Sequence, residues 1–179
     1  MKNRLIAVLL VIICILANVG IDQLSKKIAV DGLTGKGTVN VIGDVFILTL
    51  VTNEGGFLGM GEDWPRAVKL IVLQFAPLGM LLVMAVIVFV SNKLLLSERL
   101  AFAAIIGGGA SNIIERLVAG EVIDFMNFGI GSFRTGILNV ADLSVFFGVV
   151  ALIVIMYLRN RSLKKTEPDI KPDTPASSL

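Results

Sequence analysis

A chain of 179 residues that is 55% hydrophobic and 17% charged, with a mean hydropathy of +0.88, is too apolar for a soluble domain, where about a quarter of residues carry charge. Its net charge of +2 is small and scattered, and its few aromatics do not alternate with basic residues, so no nucleic-acid partner is expected. The chain has no histidine and a single cysteine, which excludes His-based triads, HExxH sites, intrachain disulfides and cysteine metal clusters, and leaves carboxylates as the main acid–base groups.

Lys2 and Arg4 precede an uncharged apolar run from Leu5 to Ile21, within the 17 to 25 residues or so that cross a bilayer. The same start also describes a secretory signal peptide. The run is long for an h-region, however, and no clear A-x-A site follows, so it is expected to be retained as a first span. Cys14 lies inside it without a small-residue acylation context and reads as lipid-facing or core filler. Asp22 and Lys26 come next, placed as either interface charges or site residues.

Val39 to Thr52 is β-branched and partly alternating about a Gly43-Asp44 turn signal, which predicts two short strands or a hairpin. The following segment, Asn53-Glu-Gly-Gly-Phe-Leu-Gly59, lacks the GK[ST] ending of a phosphate loop. It suits either a tight turn on the membrane surface or backbone that approaches an extended ligand. Trp64 stands where an interfacial indole anchor is common.

The second span is Leu70 to Val90, uncharged, with Pro77 near its middle, where neighbouring helices can satisfy the freed carbonyl. The third, about Leu100 to Arg116, is short and rich in Gly, Ala and Ser, which lets backbones approach closely and places it inside the bundle. The fourth, about Leu138 to Leu158, carries one charge, Asp142, near its start. From Arg159 the chain turns polar and proline-rich, and residues 159–179 are expected to form a disordered tail. No internal repeat supports an inverted-repeat transporter.

Four spans put both termini on one side, and the basic flanks (Lys2, Arg4, Lys93, Arg99, Arg159, Arg161, Lys164, Lys165) assign that side to the cytoplasm. The expected fold is an all-α membrane protein over residues 1–158: four transmembrane helices with a small extracytoplasmic β/loop element between helices 1 and 2. Connections 22–69 and 117–137 then lie outside, and Asn112, Glu115, Arg116, Asp124, Asn139 and Asp142 gather near the outer leaflet.

An Asp or Arg at the centre of a membrane helix costs roughly 2.5 to 3.5 kcal/mol, so such residues default to function. Asn112 and Arg116 at i, i+4 share a helix face, as do Asn139 and Asp142 at i, i+3; the two faces can meet around one cavity, with Asp124 arriving from the preceding connection. Two carboxylates in a low-dielectric site share one proton and so supply an acid and a base together. Arg116 is expected to hold local charge and anchor its helix end, Asn139 to orient Asp142, and Asn53 or Asn112 to bind substrate backbone or another site residue. Singly, each has a structural reading: Asp124 as a solvated loop acid, Asp142 as a helix-start carboxylate, Glu115 beside Arg116 as structural ion pairing. Other functions compatible with these residues are a proton-coupled transporter, a membrane scaffold held by polar pairs, and a serine–lysine hydrolase using Ser25 and Lys26, although adjacent helical residues diverge by about 100°.

The blocks Asp22-Gln-Leu-Ser-Lys26, Asn53-x-Gly, Gly107-Gly-x-x-Ser-Asn112-Ile-Ile-Glu-Arg116, Gly120-Glu-Val-Ile-Asp124-Phe125 and Asn139-Val-Ala-Asp142 resemble, in order, the signatures of lipoprotein signal peptidase, signal peptidase II. The resemblance runs from about residue 4 to 158. It implies a bacterial inner-membrane aspartic endopeptidase that cuts prolipoproteins just before the diacylglyceryl-modified cysteine, with Asp124 and Asp142 catalytic and Asp22, Lys26, Asn53, Asn112, Arg116 and Asn139 as supporting site residues. No cofactor or metal is expected, and the partners are the prolipoprotein and membrane lipids, with the enzyme a monomer. The sequence departs from the family pattern at Ser111, usually glycine, at Glu115, usually aspartate, and at Phe57, which follows Asn53 one residue sooner than usual.

Overall fold

The structure, a computed structural model, describes residues 2–56 and 59–166. The Asn53-to-Phe57 spacing and the expected tail from residue 167 onward lie outside the described residues. In chain order the elements are α1 (Lys2–Leu33), β1 (Val39–Ile42), β2 (Phe46–Asn53), α2 (Arg66–Lys69), a π-helical segment (Leu70–Phe75), α3 (Ala76–Val90), α4 (Leu96–Val118), β3 (Val122–Ile130), β4 (Phe133–Arg134) and α5 (Val140–Thr166). Among the described residues four helical stretches are long and apolar enough to cross a membrane: α1, Arg66–Val90, α4 and α5.

The helices differ from their expected bounds where charges are paired inside the protein. α1 runs past Ile21 to Leu33 because Asp22 and Lys26, one helical turn apart, bond to each other at 2.7 Å and face α4 rather than water. α5 continues past Leu158 through Thr166, so residues 159–166 are helical where a disordered tail was expected. Arg159 holds that end: its guanidinium meets both oxygens of Glu98 at 2.8 and 2.9 Å and donates to the Lys93 carbonyl. Glu98 in turn accepts the Leu95 N–H at the start of α4. Pro77 falls in the first turn of α3, just past the π-helical segment, where its missing N–H removes no regular α-helical bond.

The third span is the centre of the bundle. Half of its apolar window is buried, against 11 to 17% for the other spans, whose outer faces are left for lipid. Glycines make the contacts: a Cβ on Gly107 would lie 2.7 Å from Asn18 Cβ of α1, one on Gly108 would lie 2.5 Å from the Ala141 carbonyl of α5, and one on Gly148 would lie 2.8 Å from Ile105 of α4. Backbone proximity of this kind is how helices pack where lipid supplies no hydrophobic drive.

The all-α expectation, with β structure only between helices 1 and 2, is corrected. A four-stranded antiparallel sheet, in the order β1-β2-β3-β4, takes two strands from the connection after α1 and two from the connection between α4 and α5. β3 lacked a recognisable alternation because most of it is buried on both faces, and its long-range partner β2 leaves no hairpin signal in the sequence. The sheet rests on the end of α1 through Ala29, Leu33, Phe125 and Met126, with Phe46 stacked on Phe128 at 4.6 Å.

Candidate active site

The sheet and the start of α5 deliver the polar residues to one place. β2 and β3 slip register between Leu48↔Met126 and Val51↔Asp124, a bulge that re-aims the strand beside the site. Beyond the slip Asn53 is a diagonal neighbour of Asp124 on the same sheet face, and its Nδ2 donates to Asp124 Oδ2 at 2.9 Å. Leu138 bridges to Met126 through its own backbone, which brings Asn139 alongside Asp124.

Asn139 is the N-cap of α5. Its Oδ1 accepts the Asp142 N–H at 2.9 Å while Asp142 Oδ2 accepts the Asn139 N–H at 3.1 Å, a reciprocal capping box with Asp in the acidic position. The Asn139 amide nitrogen donates to Asp124 Oδ1 at 2.6 Å and to Asn112 Oδ1 at 3.1 Å. Asn139 therefore touches both aspartates. Asn112 completes the ring by donating from Nδ2 to Asp142 Oδ1 at 2.9 Å.

Lys26 fixes the direction of that ring. An ammonium only donates, so its bond to Asn112 Oδ1 at 2.9 Å turns the amide nitrogen of Asn112 toward Asp142. Lys26 is 2% exposed and also pairs at 2.7 Å with each of Asp22 and Glu115. Asp22, fully buried, accepts the Ala141 N–H at 2.8 Å and so caps the first turn of α5 from α1. Glu115 thus pairs with Lys26, and the longer side chain of glutamate reaches it.

Arg116 donates to the Gly55 carbonyl at 2.8 Å, tying α4 to the turn that follows Asn53. Within that turn Asn53 Oδ1 accepts the Gly55 N–H, and a Cβ on Gly55 would lie 2.6 Å from the Gly59 carbonyl, so only glycine fits. Gln74, buried in the π-helical segment, donates to the Arg116 carbonyl at 3.3 Å. The serine–lysine arrangement does not form: the Ser25 hydroxyl donates to the Asp22 carbonyl at 2.7 Å.

Burial pushes the Asp124 carboxyl up to about 6, and the neighbouring Asp142 adds to the rise, while the Asn53 and Asn139 amides and the Lys26 charge oppose it. A cavity of about 360 Å³ borders Asn53, Asp124 and Thr135 to Ile137. Another, of about 620 Å³, borders Trp64, Arg66, Gln74 and Arg116.

Asp22, Lys26, Asn53, Asn112, Asp124, Asn139 and Asp142 thus form one hydrogen-bonded network, with Arg116 joined to it through Gly55. Sequence reasoning passed over Gln23, Gln74 and the hydroxyl of Ser111. Each is a polar residue within an apolar helix, and that was the available signal.

A family model for signal peptidase II matches residues 11–158. The chain is 32% identical to the lipoprotein signal peptidase of Bifidobacterium adolescentis over 149 residues, 80% of this chain and 73% of that protein. It is 35% identical to that of Burkholderia mallei over 138 residues, 74% of this chain and 78% of that one. Among solved structures, a bacterial membrane enzyme determined in meso at 2.3 Å resolution superposes with a TM-score of 0.70 at 26% identity, covering 88% of this chain and 92% of the other.

Proposed function

The chain belongs to the signal peptidase II family, and we propose that it cuts diacylglyceryl-modified prolipoproteins just before the lipidated cysteine, using Asp124 and Asp142 as its catalytic pair. Membership makes it an aspartic peptidase that removes signal peptides from lipoproteins. The observation that carries the assignment of the pair is Asn139, which bonds to Asp124 through its side chain and to Asp142 through both its side chain and its backbone.

In this reading the two carboxylates share one proton. The charged member takes a proton from water as the water oxygen attacks the scissile carbonyl carbon, and the protonated member hydrogen-bonds the carbonyl oxygen. Collapse of the tetrahedral intermediate breaks the C–N bond and passes a proton to the leaving amine. Asn53, Asn112 and Asn139 hold the carboxylates in place through their N–H donors, and the cavity beside Asp124 takes the scissile segment. Arg116 positions the Gly55 turn. Its Nε is buried without an acceptor among the described residues.

The active site lies near the outer leaflet, with both termini cytoplasmic. The aspartates and the sheet sit at one end of the bundle, while Arg4 bonds to the Phe89 carbonyl and Arg159 to Glu98 at the other, where short basic flanks remain in the cytoplasm. The proton-coupled transporter is not favoured by the family assignment.

The test is incubation of the purified protein with a diacylated precursor, with the cut read by mass spectrometry. The expected product begins at the lipidated cysteine; an intact precursor or a cut elsewhere refutes the reading.

A pH dependence follows from Asp124. A carboxyl raised to about 6 keeps its proton below that value and loses it above, so the singly protonated pair gives way to two charges as pH rises. By the same sign, its contribution to folding stability is present at acid pH and lost as pH rises through about 6. Because kcat/KM reports the free enzyme, it is expected to fall on the alkaline side from about pH 6, with the kcat limb higher because bound substrate displaces water. A kcat/KM that stays flat from about pH 5 to 8 contradicts the shared proton.

A further inference from the structure

Ser111 sits on α4, fully buried, with its hydroxyl against α1. It donates to Asp22 Oδ2 at 2.7 Å and accepts from Gln23 Nε2 at 2.9 Å. A carboxylate only accepts, so the single hydroxyl proton must point to Asp22, and its lone pair is left for the Gln23 amide. The direction of this hydroxyl is therefore determined by its partners. Gln23 also donates to Glu115 Oε1 at 3.3 Å, and Glu115 Oε2 holds Lys26 at 2.7 Å. Ser111 and Glu115, two of the positions at which the chain departs from the family blocks, thus meet on the same glutamine.

Asp22 holds the Ala141 N–H, and Ala141 is the residue before Asp142. Removing the serine donor leaves Asp22 Oδ2 to Lys26 alone, and Lys26 is the group that turns Asn112 toward Asp142. Two routes therefore run from this hydroxyl to the same carboxylate, one through the α5 cap and one through the amide ring. Neither Ser111 nor Gln23 borders the cavities beside Asp124 or Arg116, so neither is placed to touch substrate.

We infer that Ser111 and Gln23 are positioning residues for the reaction: acting as one unit, they lock Asp22 and Lys26 so that Asp142 stays aimed at its partner carboxylate. The inference rests on the catalytic reading given above. It assigns to this chain a serine-dependent bracing of the α5 cap that a glycine at 111 has no donor to make.

The full-length protein in lipid nanodiscs would be assayed on a diacylated precursor as wild type, Ser111→Ala, Gln23→Ala and the double variant. Loss of a buried bond to a charged group is expected to lower kcat on the order of tenfold in Ser111→Ala, and less in Gln23→Ala, with KM held within about twofold. The double variant should be no slower than Ser111→Ala, since both remove one unit. Unchanged kcat in the single variants with only a lowered melting temperature, losses that multiply in the double variant, or KM rising in step with the loss of kcat would each overturn the inference. Gln23 is exposed on α1, so Gln23→Ala keeps the test decisive if Ser111→Ala does not accumulate. A wild-type protein that leaves the precursor uncut, or an Asp142→Asn variant that still cuts it, would instead defeat the catalytic reading itself.

Discussion

Asp142→Asn is expected to slow precursor cleavage by about a thousandfold or more, the scale on which a positioned acid–base group acts. The two side chains have almost the same shape, so the change removes the ionisable group with little change in packing. Asparagine keeps one acceptor oxygen where aspartate has two, and one of the contacts from Asn112 and the Asn139 N–H is therefore lost. That costs about 1 kcal/mol of stability, small against the roughly 4 kcal/mol that a thousandfold in rate represents. Single-turnover cleavage alongside a thermal melt separates the two. Asp124→Asn should be as slow, and the double variant no slower, because the pair acts as one device. A variant within tenfold of wild type with its fold intact would show that the carboxylates do not make the attacking water.

Lys26→Met is expected to cost about 3 to 5 kcal/mol of stability, the range for removing one partner of a buried ion pair. The ammonium is shared between Asp22, which is fully buried, and Glu115, which is 13% exposed, so its loss leaves one carboxylate with no cation and no water to replace it. Methionine fills nearly the same volume, which keeps the cavity contribution small. Glu115→Gln should cost much less, since Asp22 still neutralises the lysine. The internal control is Lys69→Met: the Lys69–Glu54 pair spans 3.0 Å, but its acid is 60% exposed, and such pairs contribute about 0 to 1 kcal/mol. Denaturation of the three variants in matched lipid or detergent gives the ranking. A Lys26→Met protein that melts like Lys69→Met would remove Lys26 from the structural centre of the site.

The parts of this arrangement that were legible in the sequence are those in which one residue type contradicts its surroundings. A carboxylate or amide at the edge of an apolar run has few reasons to be there, and Asp124, Asp142, Asn112 and Asn139 stood out on that ground. The order of the blocks then placed them on four spans. What misled was the habit of reading charge as water: Asp22 and Lys26 looked like the end of the first span, yet they pair with each other, and Lys26 with Glu115, inside the bundle, and α1 runs on to Leu33. β3 stayed hidden for the converse reason. Covered on both faces and paired with a strand far away in the chain, Val122 to Ile130 shows neither a clean period of two nor an adjoining turn that would announce its partner. Asn127 and Arg134 tie its far end to β4 and the β1–β2 turn, contacts that local sequence does not encode.

The bond from Asp22 to the Ala141 amide joins the first span to the last. During synthesis Asp22 and Lys26 of α1 meet their partners in two stages: Ser111, Asn112 and Glu115 come with the third span, and the Ala141 amide only with the last. If Asp124 and Asp142 are the catalytic pair as proposed, proteolytic competence arises at the end of biogenesis: an unfinished chain stalled after its third crossing has no Asn139 or Asp142 and is expected to leave the precursors around it uncut.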